Sequence, residues 1–156
     1  MAHQVLTGIA ILAVGIIYGT DVFCAVVQRS AMSRVSDEAL TSAMGYTHLY
    51  GDRRLKFPGA LGIIASVGTV ITAVVFAASA TTIAASAVAV AALGVWFVIY
   101  GRVSVPVNAA FTAAALAGRT PPEARALQRT WDSVIGIRAV LQGIAVGALF
   151  VGAVAA

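Results

Sequence analysis

Cysteine, histidine and charge are all scarce in this chain. The single cysteine, Cys24, excludes an internal disulfide and a multi-cysteine metal site. Only 10% of the 156 residues are charged, against about 25% in a soluble domain. Nine arginines and one lysine are dispersed, and no basic face alternates with exposed aromatics, so nucleic acid is not an expected partner. No phosphate-binding glycine loop is present, nor a serine–histidine pair at credible spacing. No basic stretch precedes the first apolar run, which is longer than a signal-peptide core and reads as an uncleaved span.

What is present is hydrophobic: 60% of the residues, with a mean hydropathy of +0.96. Four runs approach the roughly 20 residues that a bilayer core demands: 5–27, 59–80, 83–101 and 133–155. They predict an all-α fold, a four-helix integral membrane bundle forming one transmembrane domain over 1–156. Ser79–Thr82 is the only candidate turn between the second and third spans. Arg29, Arg34, Arg53, Arg54 and Lys56 fall in the connection after span one. Arg102, Arg119, Arg125 and Arg129 fall in the connection after span three. The positive-inside rule makes that side cytoplasmic and puts both termini on the other. Arginine over lysine and abundant alanine are what a GC-rich bacterial genome produces, so a multi-pass protein of the bacterial plasma (inner) membrane is expected, in contact with membrane lipid.

Ser36-Asp37-Glu38 is an N-cap followed by first-turn acids, predicting a cytoplasmic helix that runs towards Leu49 and ends near Gly51. The third helix is expected to continue past the membrane surface with a kink at Pro106, whose ring opposes the carbonyl of Arg102. Pro121 or Pro122 should start a short helix into Trp131. Gly15/Gly19 and Gly143/Gly147, at four-residue spacing, suit close helix packing.

A few polar residues need an explanation. Asp21 lies roughly 10 Å inside span one at 1.5 Å per residue, with its side chain tilted deeper. It is either protonated or met by a cation. Arg138 sits at similar depth on span four and leans back towards the cytoplasm, where it can snorkel. The two form a structural pair, or Arg138 snorkels, or both line a polar pocket, because ionisable groups inside a membrane are functional candidates. Tyr18, Asp21 and Cys24 share one face of span one, and Arg138 and Gln142 one face of span four. Gly101, Ser104, Asn108 and Thr112 make a stripe around Pro106, where Asn108 can also satisfy a freed carbonyl. His48, four residues from Asp52, is the one imidazole base on the cytoplasmic side, or else a structural histidine. With His3 across the membrane, bis-histidine haem is excluded, and no metal or other cofactor is expected. Tyr100 and Trp131 read most simply as interfacial belt residues.

Three stretches carry a resemblance: His48-x-x-Gly51-Asp52-Arg53-Arg54 with Pro58, then Val105-Pro106-Val107-Asn108, then Trp131-Asp132 with Arg138 seven residues on. Together they resemble the small four-helix membrane family named after the fungal anthrone oxygenases, over nearly the whole chain. Two positions depart from that family's pattern: Ile135 stands where Asn or His is frequent, and Arg102-Val103-Ser104 lacks the second asparagine before the proline. The resemblance implies a polar pocket in the cytoplasmic half that takes an aromatic, quinone-like molecule and oxidises it with oxygen, without metal or flavin. On it, His48 or Asp21 is the base and Arg138 stabilises the anion. Asn108 and Trp131 position the ring, with Asp132, Tyr18 and Gln142 as further binding residues. The alternative is a non-catalytic membrane subunit or scaffold, docking other membrane subunits or copies of itself. A transporter or channel ranks third, since no inverted repeat is visible.

Overall fold

A computed structural model describes residues 2–156, and among them every regular element is helical. Four helices are long and apolar enough to cross a membrane: α1 (Ala2–Met32), α3 (Lys56–Val75), α4 (Ala80–Leu116) and α5 (Ala124–Val154). A fifth, α2 (Asp37–Arg54), joins α1 to α3. Helix is the form such segments must take, because lipid offers no partner to backbone N–H and C=O groups. The chain is thus a multi-pass membrane protein built as a four-helix bundle. Each span packs beside its neighbours in the chain, and α5 closes the ring against α1.

The ends follow local chemistry. Ser36 caps α2 by accepting from the Ala39 N–H at 3.2 Å. Ser79 caps α4 by accepting from the Thr82 N–H at 3.1 Å, so the turn lies at 76–79, just ahead of the predicted Ser79–Thr82. Gly118, at φ +61, ends α4. There the N–H groups of Gly118 and Arg119 reach back to Ala115 and Ala114, closing a Schellman motif. The elements run longer than expected. α2 continues to Arg54 rather than ending near Gly51. The segment after Pro121-Pro122 is no separate short helix but the first turns of a continuous α5.

Pro106 does disturb its helix, as a π-helical turn over Tyr100–Ser104 just ahead of it, where the Val105 N–H reaches back five residues to Tyr100. A second such turn, Cys24–Gln28, interrupts α1 at the same end of the bundle. Neither pair of spaced glycines is used throughout. A Cβ on Gly15, Gly19 or Gly147 would meet nothing within 4 Å, whereas one on Gly143 would meet Tyr18 at 3.2 Å. Close approach occurs instead at Gly62, where a Cβ would lie 2.9 Å from Val14 of α1, and at Gly45, where α2 rests on α4.

The buried interior is layered. Ala10, Val14, Ala65, Ala89, Leu93, Ala145 and Leu149 form one apolar cluster in the bundle. Cys24, Leu40, Met44, Val107, Phe111, Trp131 and Ile135 form another at the end carrying α2 and the basic connections. Ile135 is fully buried there, so this position serves the core. Along α1, α4 and α5 the buried residues between the two clusters include Asp21, Ser104, Arg138 and Gln142. Arg125 of α5 pins the α1–α2 connection, donating to Asp37 at 2.6 Å, to the Met32 carbonyl at 2.9 Å and to the Val35 carbonyl.

Candidate functional site

The polar layer is organised around one ion pair. The Arg138 Nη2 of α5 donates to Asp21 Oδ1 of α1 at 2.8 Å, and the two residues are 5% and 3% exposed. Arg138 therefore does not snorkel. Its Nη1 donates to Ser104 Oγ at 2.7 Å, just where the π turn of α4 ends. Asp21 is saturated from the other side, since Oδ2 accepts from Gln142 Nε2 at 2.5 Å and from Trp96 Nε1 at 3.4 Å. The guanidinium carbon of Arg138 lies 5.2 Å from the Tyr100 ring centre and 5.8 Å from that of Trp131, within cation–π range.

A second network lies nearer the basic end. Asn108 Nδ2 donates to both oxygens of Asp52, at 3.1 and 3.2 Å, and its Oδ1 accepts from Trp131 Nε1 at 3.1 Å. The Tyr100 hydroxyl donates to Asp52 Oδ1 at 2.9 Å and its ring stacks on Trp96, with centres 5.6 Å apart. Asn108 thus bridges α2 and α5, and its predicted role of repairing the backbone at Pro106 is not the one its side chain performs. His48 sits one helical turn before Asp52, with its ring centre 5.5 Å from Trp131 and 6.3 Å from Phe111.

Between the two networks is a cavity of about 180 Å³, lined by all five helices. Asp21, His48, Asn108, Trp131 and Arg138 from the sequence reading all face it. Gln142 supports Asp21 from beneath. Two residues fall elsewhere. Tyr18 rests against Gly143, and Asp132 accepts from Gln128 at 2.9 Å and lies 4.0 Å from Arg29. Asp52, Tyr100, Trp96 and Cys24 also line the cavity without having been singled out as site residues. Trp96 and Tyr100, four apart and so on one face of α4, were the available signal.

Three buried polar atoms of residues lining this cavity have no hydrogen-bond partner among the described residues: Gln28 Oε1, His48 Nε2 and Arg138 Nε. Such atoms are rare in folded proteins. Burial holds the His48 imidazole down to about 4, from 6.5, with Asp52 opposing the shift and Arg138 adding to it. His48 is therefore a neutral acceptor at physiological pH. The unfolded chain binds its proton more readily, so the neutral histidine contributes stability in full above about pH 6.5, and that contribution is lost as pH falls towards 4. The loss should reach about 3 kcal/mol. Melting temperature in mild detergent should drop between pH 7 and pH 4.5 in the wild type and much less in His48→Gln; parallel profiles would exclude a buried neutral His48. No three His, Cys, Asp or Glu residues are grouped as a metal site among the described residues.

No family model matches the chain, and no curated protein or solved structure proves similar to it.

Proposed function

We propose that the cavity binds a small aromatic molecule carrying an ionisable hydroxyl, of phenol or hydroquinone type. The observation that carries this reading is the pair of unpartnered atoms, Arg138 Nε and His48 Nε2, set against one Trp131 ring in one cavity. A ring hydroxyl satisfies both, donating to His48 Nε2 and accepting from Arg138 Nε–H. His48 Nε2, kept neutral by burial, holds the hydroxyl proton in a hydrogen bond, and the permanently charged Arg138 favours the phenolate form. Trp131, Tyr100 and Trp96 supply aromatic walls, and Asn108 fixes Trp131. Asp21, already holding three donors, serves better as the counter-ion that orients Arg138 than as a base.

Size refines the substrate. A cavity of roughly 150 Å³ holds benzene, so about 180 Å³ suits one substituted ring rather than the three fused rings of an anthrone. The resemblance to the anthrone oxygenases adds a reaction class. Loss of the hydroxyl proton gives an electron-rich phenolate that reduces oxygen; for a hydroquinone, the ring and O2 become quinone and H2O2. A non-catalytic scaffold has one observation in its favour: the side chains of the Asp21 cluster cross-link α1, α4 and α5 among themselves.

4-Nitrophenol, whose anion is coloured, separates these readings. Saturable binding is expected, with the ring ionising about one pH unit or more below its free value, as an adjacent cation dictates. 4-Nitroanisole, which has no hydroxyl to ionise, should bind more weakly. Absence of saturable nitrophenol binding would leave the scaffold.

A further inference from the structure

A second hollow, about 190 Å³, runs between α3 and α4 on the side away from α2, lined by Ile63, Ser66, Val67, Val90, Leu93, Gly94 and Phe97. Ser66 is its one polar residue, and that hydroxyl is already donated to the Gly62 carbonyl at 2.7 Å. Val67 and Phe97 are exposed on the outer surface of the bundle, so the groove opens towards lipid. A small gap of about 10 Å³ lies between the two hollows, sharing Gly59, Ile63 and Trp96 with the polar cavity and Ile63 and Leu93 with the groove. Ile63 lines all three.

We infer that the ligand is amphiphilic, with its hydroxylated ring in the polar cavity and an alkyl or isoprenoid tail leaving past Ile63 along the α3–α4 groove. This rests on the proposed phenol site and extends it to a substrate class, the membrane-borne alkyl phenols and quinols. The two hollows match the two ends of such a molecule: unpartnered polar atoms in one and apolar walls in the other, with Ile63 lining both. From Phe97 to Val90 the groove spans about 10 Å at 1.5 Å per residue, enough to take the first part of a tail while the rest stays in the bilayer. Hydrocarbon gains little by moving from lipid to a protein groove. The groove therefore acts by permission. It lets the ring reach Arg138 laterally without drawing the tail through the polar layer.

Gly94 provides the test. A Cβ there meets nothing within 4 Å, so Gly94→Phe can place its ring in the groove while the bundle stays folded, which unchanged melting would verify. Two probes are compared in nanodiscs: 4-nitrophenol and a homologue bearing a decyl chain on the ring. The expected result is that Gly94→Phe binds the decyl compound about tenfold or more weakly than wild type, a cost of roughly 1.4 kcal/mol, and binds 4-nitrophenol equally well. If both probes bind equally to both proteins, the tail does not use the groove, and the phenol site stands without it. If 4-nitrophenol binds to neither protein, the site itself fails and the inference fails with it. If wild type retains a phospholipid that Gly94→Phe loses, while decyl binding is unchanged, the groove belongs to bilayer lipid and the inference is overturned.

Discussion

Arg138→Leu should destabilise the bundle by about 3–5 kcal/mol, the usual result of leaving one member of a buried ion pair without its partner. The leucine is apolar, yet it strands Asp21, 3% exposed, among Trp96 and Gln142. It also strips Ser104 of its donor. Asp21→Leu should cost a similar amount by stranding the guanidinium. The double variant places two leucines in contact and removes both charges, so it should melt close to wild type and well above either single variant. Thermal unfolding of all four proteins in one detergent gives the coupling directly. Nitrophenol binding then divides structure from chemistry. The double variant should fold and yet bind nothing, because the cation facing the ring oxygen is gone. Near-additive single and double effects would mean that the pair is not coupled, and nitrophenol binding by the double variant would remove Arg138 from the site.

The second large effect is expected at Gly45. A Cβ there would sit 2.6 Å from the Phe111 carbonyl oxygen and closer still to the Ala115 Cβ. Both obstacles belong to one helical face of α4, and a carbonyl oxygen cannot rotate aside. Gly45→Val must therefore lift α2 off α4, breaking the Thr112 hydroxyl's 3.3 Å bond to the Gly45 carbonyl. α2 carries both His48 and Asp52, so one added side chain opens the cavity while the four spans remain packed around Ala10, Leu93 and Leu149. Nitrophenol binding should fall about a hundredfold, roughly 2.7 kcal/mol, and limited proteolysis should cut within 33–58. Helix content by circular dichroism should hardly change. Retained binding would show that α2 does not form the cavity wall.

Much of this is legible in the sequence alone. The four spans follow from run length, and the meeting of Asp21 with Arg138 follows from two opposite charges at matching depth in otherwise apolar helices. His48 is conspicuous as the one cytoplasmic imidazole and Asn108 as an amide two residues past Pro106, whereas Trp131 reads as an interfacial belt residue and enters the site only through the resemblance. Tyr100 was harder to read, because a tyrosine near the end of a span has an ordinary interfacial explanation. Only the fold shows that α2 turns back over it and presents Asp52 to its hydroxyl. Asp132 misled in the opposite sense. It adjoins Trp131 in sequence, but helical geometry turns neighbouring residues about 100° apart, and it faces Arg29 instead. The π turn at Cys24–Gln28 has no proline to announce it. It changes which face of α1 the residues beyond it present, something a regular 3.6-residue period does not anticipate.

The ion pair also bears on how the protein is made. Asp21 and Arg138 are 117 residues apart. At about 5–20 residues per second, the first helix waits in the translocation machinery or the bilayer for roughly 6–23 seconds before its cation is synthesised. During that interval the acid is alone at a depth where a charge is costly. It must stay protonated or keep to a wet surface of the insertion machinery until the last helix arrives. Ring closure by α5 is then both the final step of assembly and the one that neutralises the first helix. A nascent chain stopped before Arg138 is an open three-span form whose acid still lacks its cation.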